Sequence, residues 1–309
     1  MFAPSPLLTI TVEPTGGAHE EIHLHAGGQG FWVARMASLL GARVALCCCL
    51  GGESGAVLRG LVERENVQLL AVECAAANGS YLHMRRDGER EEVARTDSQR
   101  LSRHEADELY GVTLSAALDA GLAMLTGTDP REILESDCYR RLACDLRNNG
   151  VTVIADLSGD ALRAALQGGV DVLKISEEEA LAEGWASSGE LADLMDALQA
   201  LHRAGARTVL MSRAERPALV LDGPCNRYLH LTGPRVQAVE PHGTGDSMFA
   251  ALGTGLASGL ELEQALRVAM AAGCLNATRH GLGTGTRQEI EQLSHHVQVA
   301  ELPPNPRAS

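Results

Sequence analysis

The chain of 309 residues is long enough to bury a full core, as one large domain or two modest ones. Hydrophobic residues make up 45% and aromatics only 3%, so that core must rest on Ala, Leu, Val and Ile. A formal net charge of -14 argues against a general nucleic-acid surface, which needs clustered cations, and no apolar run approaches the roughly 18 residues of a membrane span.

In chain order, Leu7–Val12 is apolar and β-branched and predicts a first strand that stops at Pro14. After a turn at 15–17, Glu20–Ala26 alternates polar and apolar residues, as a half-exposed strand does. Gly27, Gly28 and Gly30 precede a helix over 32–40 that Gly41 closes. Arg43–Leu50 predicts a buried strand, Gly55–Glu65 a helix and Val67–Cys74 a strand. Tyr81–Arg85 and Glu91–Arg95 predict a hairpin around Asp87-Gly88. A Ser102-x-x-Glu105 capping box opens a helix to Asp119. Strands at 122–126, 151–156, 170–175 and 208–212 then alternate with helices at 139–148, 159–166, 177–182 and 191–204. A hairpin at 218–231 and helices at 245–257, 262–277 and 289–293 follow, and the tail 303–309 is expected to be loose. The helix–strand alternation implies an α/β fold with a mostly parallel sheet covered on both faces. The strands near 19–26 and 80–95 break that rhythm and predict a small accessory sheet. A single domain over 1–302 carrying this sheet as a lid is expected.

Eight cysteines include the adjacent Cys47, Cys48 and Cys49 but no Cys-x-x-Cys pair, so they are expected as small buried hydrophobes in a reducing compartment. No basic stretch followed by an apolar core opens the chain, which predicts a cytoplasmic protein. Lys174 is the only lysine, which singles that position out.

The most informative stretch is His242-Gly-Thr-Gly-Asp-Ser247. Gly243, Thr244 and Gly245 can turn their N–H groups toward one point, and a helix starts directly after them, so the turn can cradle phosphate oxygens. Asp246, in the first helical turn, can accept a proton from an attacking hydroxyl. An Asp at this place is also an ordinary favourable partner of the helix dipole, so other features must carry the assignment.

Gly243-Thr-Gly-Asp246 with its small, apolar helix resembles the C-terminal signature of the ribokinase and phosphofructokinase-B carbohydrate kinases. Ala26-Gly-Gly-Gln-Gly-Phe-Trp-Val-Ala34 is similar to the N-terminal signature of that family. Asp156-Leu-Ser-Gly159, Lys174-Ile-Ser-Glu-Glu-Glu179 and Met211-Ser-Arg-Ala-Glu-Arg216 resemble three further stretches, in order, of its 1-phosphofructokinase and tagatose-6-phosphate kinase branch. The resemblance implies a ribokinase-like three-layer sandwich with a small β lid, and an ATP-dependent kinase acting on a hydroxyl of a small metabolite. It makes Asp246 the catalytic base and Gly243, Thr244 and Gly245 the anion hole. Lys174, Ser176, Ser212, Glu215 and Asn276 would approach the nucleotide, and Glu179 would hold Mg2+. Glu13, Gly27, Gly28, Gln29 and Trp32 would face the acceptor. A homodimer through the open edges of the lid strands would also be in keeping.

The departures gather on the acceptor side. The family pattern Asn-Pro-x-x-Asp after the first strand is set against Val12-Glu-Pro-Thr-Gly-Gly17, with Glu13 for Asn and Gly17 for Asp, which predicts a trimmed lid. Gln29 stands for a Lys, Trp32 for an Asn, and Asn78 stands near the place of an Arg. Each charge-assisted bond lost from a phosphate pocket is worth roughly 1.5–3 kcal/mol, so the acceptor need not be a sugar phosphate. Two readings follow: an active kinase with an altered acceptor, or a catalytically impaired nucleotide- or metabolite-binding protein on the same scaffold. A dinucleotide-binding dehydrogenase is excluded by the lack of a strand–Gly-x-Gly-x-x-Gly–helix unit.

Overall fold

The computed structural model describes residues 1–14, 19–86, 89–239, 242–279, 283 and 285–303. The Asp87-Gly88 turn, Gly17 and the tail beyond Pro303 lie outside the described residues. The elements run β1 (Leu7–Pro14), β2 (Glu20–Gly27), α1 (Gln29–Leu39), β3 (Ala45–Gly51), α2 (Gly52–Val62), β4 (Gln68–Cys74), β5 (Ser80–Arg86) and β6 (Glu89–Thr96). They continue with α3 (Arg103–Ala120), β7 (Leu122–Thr126), α4 (Asp137–Asn148), β8 (Thr152–Asp156), α5 (Gly159–Gly168), β9 (Val170–Ser176), α6 (Glu177–Ala182) and α7 (Leu191–Ala204). β10 (Ala206–Arg213), β11 (Arg216–Asp222), β12 (Arg227–Thr232), α8 (Thr244–Ala257), α9 (Leu262–Ala277), α10 (Arg287–Ser294) and β13 (Gln298–Leu302) complete the order.

β7, β8, β9 and β10 are parallel neighbours, and β11, β12 and β13 extend them antiparallel. β3 and β4 form the other flank. Residues 1–4 join the two parts: Phe2 bridges both Cys47 and Leu125 in parallel, and Ala3 N donates to Cys47 O at 3.0 Å. This segment has no strand signal in the sequence, because Pro4 and Pro6 lack the N–H that a regular ladder needs. β13 was likewise not expected; it closes the far edge against β12.

Alternate strand residues point to opposite faces. Val153, Leu173 and Val209 pack with Leu142, Leu162 and Leu198 of α4, α5 and α7. Ile154, Val172 and Leu210 pack with Met36, Phe249 and Ala269 of α1, α8 and α9. The fold is therefore α/β, three layers with a mostly parallel central sheet, as the helix–strand alternation requires.

The predicted accessory sheet is present with four strands, in the order β2-β1-β5-β6. Leu7–Pro14 belongs to it rather than to the central sheet. β1 pairs antiparallel with β2 and parallel with β5. Its strands β1 and β2 each run for 8 residues.

Candidate active site

The parallel strands end along one edge, the place where open α/β sheets bind ligands. Thr126, Asp156 and Lys174 lie side by side there in register, and Ser176 pairs with Ser212. Asp156 and Lys174 share the strand parity of Ile154 and Val172, so both side chains emerge on the α1–α8 face. Lys174 Nζ lies 2.9 Å from Asp156 Oδ2, with both side chains almost fully buried. Burial alone would drive a proton off Lys174, but Asp156, Glu179 and Asp246 outweigh it and raise its pKa.

α8 brings the glycine turn to the same spot. Gly243 is the N-cap at φ 72°, a left-handed conformation that a side chain resists, and Ser247 N donates to Gly243 O at 2.9 Å. A Cβ on Gly245 would stand 2.8 Å from Lys174 Nζ, so the absent side chain is what lets the turn reach the ammonium. Asp246 follows in the first turn. Burial first, then the nearby Asp156 and Glu179 carboxylates, push its pKa up to about 7 against the pull of Lys174 and Gln29.

Gln29 links this cluster to a cleft at the base of the small sheet. Its Oε1 accepts from Gly127 N at 3.1 Å, and its side chain hydrogen-bonds both Asp156 and Asp246. Leu7, Gly28, Gln29, Asp129, Asp156 and Glu179 are among the residues lining the cleft. Three predicted acceptor residues are not among the lining residues. Glu13 sits toward the far end of β1, 3.3 Å from Arg85 Nη1. Gly27 packs against Thr9, and Trp32 stacks edge-on against Phe31 below Arg35.

The segment that enters the central sheet is 1–4, and Ala3 within it and Ser5, Pro6 and Leu7 after it line the cleft instead. Asn78 is a buried tie. Its Oδ1 accepts from Gly51 N at 2.8 Å, and its Nδ2 donates to Pro6 O at 3.0 Å and Cys49 O at 3.1 Å.

The remaining predicted nucleotide residues lie on or just after β9, β10 and α9. Ser176 and Glu179 form a capping box in which Glu179 Oε2 accepts from Ser176 N at 2.8 Å and Ser176 Oγ at 2.7 Å. Ser212 lies one residue before the end of β10, beside Ser176. Ala214, where the family loop has a glycine, adopts φ 47°, and Glu215 is exposed in the same turn. Buried Glu177 anchors this turn by pairing with Arg213 at 3.0 Å and with Arg216. Asn276 is fully buried: its amide donates to His242 O at 2.9 Å, and its Oδ1 accepts from Gly283 N at 3.2 Å. It ties the glycine turn to the 283 loop. Sequence reasoning passed over Asp129, which has no motif around it, and the ion pairing of Asp156, which only the strand register creates.

A buried lysine–carboxylate pair, a glycine turn at a helix N-terminus and a first-turn aspartate, all at the carboxyl edge of a parallel sheet, define a phosphoryl-transfer enzyme of the α/β class. The family model for the pfkB family carbohydrate kinases matches residues 8–289, and the chain belongs to that family. It is 29% identical over 317 residues to the 1-phosphofructokinase of Vibrio cholerae, covering 96% of this chain and 98% of that protein. Among solved structures, phosphofructokinase-2 from Escherichia coli superposes with TM-score 0.84 at 23% identity, covering 95% of this chain and 97% of that one. Ribokinase from Arabidopsis thaliana gives TM-score 0.74 at 20% identity, covering 95% and 97%. The chain is thus an ATP-dependent kinase with an alcohol group as acceptor, which favours the enzyme over the binding-only reading. No helix among the described residues is long and apolar enough to cross a membrane.

Proposed function

We propose that the chain transfers the γ-phosphoryl group of ATP to a carbohydrate hydroxyl, with Asp246 as the base that takes the hydroxyl proton. The observation that carries this is the place of Asp246. Its carboxylate shares one cluster with Lys174, Asp156 and Gln29, in the first turn of the helix that the Gly243–Gly245 turn opens. A carboxylate whose pKa is about 7 is ionised in half the molecules at neutral pH and accepts a proton more readily than an ordinary aspartate. The N–H groups of Gly243, Thr244 and Gly245 would receive charge on the transferred group, and Lys174 would neutralise it from the other side. Ser176, Ser212, Glu215 and Asn276 would border the nucleotide, while Gly28 and Gln29 would border the acceptor.

Mg2+ fits the residues present. Asp156 and Glu179, which commits Oε2 to the helix cap, are carboxylates lining the same cleft. Among the described residues no group of three or more His, Cys, Asp or Glu could hold a metal ion, so the ion would keep mostly water and phosphate oxygens. When bound, it neutralises the nucleotide phosphates.

We further propose that residues 1–302 act as one unit with the β2-β1-β5-β6 sheet as lid, and that a second copy pairs with this chain through that sheet. All eight cysteines are unpaired, which agrees with work in the cytoplasm. The test is a coupled assay with MgATP and a panel of sugars and sugar phosphates. Turnover that disappears in Asp246→Asn is expected; undiminished turnover in that variant would refute the assignment of the base.

A further inference from the structure

The cleft beside Asp246 is walled by carboxylates. Asp129, Asp156 and Glu179 line it, and Asp246 stands behind Gln29. Among the described residues, Lys174 ion-pairs with Asp156 and Arg95 with Asp129. Lys174 is taken by Asp156 at 2.9 Å, and Arg95 is shared between Asp129 at 2.7 Å and Asp97 at 2.5 Å. Lys174 also faces the glycine turn through Gly245, so its charge is committed to that side of the site. The rest of the lining is neutral. Ser5, Gln29, Thr128 and Ser158 offer hydrogen bonds, and Leu7 and Phe31 offer apolar surface.

A phosphate monoester is close to a dianion at neutral pH. Placed in this cleft, it would meet the like charge of Asp129 and would compete with the nucleotide for Lys174. Like-charge juxtaposition is a strong means of rejecting a ligand. Hydroxyl groups fare differently, because carboxylate, amide and serine oxygens all accept from them.

We propose that the acceptor is an uncharged polyol, a sugar or sugar alcohol that bears no phosphate. The proposal rests on the kinase reading above. Asp129 is the specificity-determining residue in it: its carboxylate faces the cleft from the end of β7 and holds Arg95 away from an incoming anion.

The experiment compares matched pairs with the full chain and MgATP: fructose with fructose 1-phosphate and fructose 6-phosphate, tagatose with tagatose 6-phosphate, ribose with ribose 5-phosphate. The uncharged member is expected to have the larger kcat/KM by about tenfold or more. Asp129→Ser should raise kcat/KM for the phosphorylated members by about fivefold and change the uncharged ones less. Calorimetric titration of the same pairs into Asp246→Asn with MgATP reads affinity where turnover is slow. Preference for a phosphorylated member, in turnover or binding, overturns the proposal. So does a panel in which no uncharged member is bound or turned over. If MgATP is not bound either, the kinase reading falls with it, and that measurement separates the two failures.

Discussion

Asp246 makes the site's chemistry pH-dependent in a direction that can be worked out. Its folded pKa of about 7 lies above the usual 3.8, so the folded chain binds this proton more tightly than the unfolded one. The stability that this proton supplies is fully present below pH 3.8 and is lost as pH rises through 7. Two outcomes follow. The rate should climb with pH around an inflection near 7, since only the ionised form is a base. Asp246→Asn should reduce kcat by about a hundredfold to ten-thousandfold. At pH 8 the same variant should be more stable by about 1–3 kcal/mol in denaturant titrations, because it removes a desolvated charge. Gln29 tunes this group. Gln29→Lys would set an ammonium against Asp246 and Asp156, and the inflection of the pH–rate profile should fall by about one unit. An unmoved inflection would mean that Gln29 does not govern the base. At this scale the sequence displayed Asp246 and the lone Lys174, because both sit in recognisable motifs. It did not display the 1–4 segment as part of the central sheet, because Pro4 and Pro6 disguise it as a loop.

Whole elements were more legible than their joins. Alternation of apolar strands with amphipathic helices depends on local periodicity, and the helices and most strands appeared where that period placed them. The ties between elements depend on side chains far apart in sequence. Asn78 shows the difference. Read along the chain, it marks a missing arginine; in the fold, it holds the end of β3 to the segment that enters the small sheet, through Gly51, Cys49 and Pro6. All of these groups are buried, so Asn78→Ala leaves a backbone N–H and two carbonyls with one partner fewer. A loss of about 3–5 kcal/mol is expected, seen as a lower thermal midpoint. Because the tie fixes Pro6 beside the cleft, KM for the acceptor should rise in the same variant more than KM for ATP. Asn276 plays the matching part between the glycine turn and the 283 loop. A polar residue at the end of a helix gives no sign of which distant carbonyl it will meet.

The small sheet sets the behaviour of the molecule as a whole. Its register sorts the side chains into two faces. Leu24, Ile10 and Leu82 form one row across β2, β1 and β5, and Ile22, Val12 and Met84 form the next. The opposite face carries His23, Thr11 and His83, then His25, Thr9 and Tyr81. The root of the apolar face, Leu8 and Ala26, packs with Phe31 of α1 and Leu58 of α2. Farther out that cover ends: Ile22 is 65% exposed and Leu24 45% exposed, on an edge strand. An edge strand with exposed apolar residues is a surface that pairs with another chain. A second copy laid across the outer rows would cover both residues in each chain, contributing about 3–6 kcal/mol. The wild-type chain is therefore expected to sediment as a dimer at micromolar concentration, and the double variant Ile22→Glu with Leu24→Glu as a monomer. Since both residues are solvent-facing within one chain, the variant's isolated fold should melt no more than about 0.5 kcal/mol less stably, apart from the lost association. A wild-type chain that sediments as a monomer, or a double variant that stays dimeric, would show that this face is not where two copies meet.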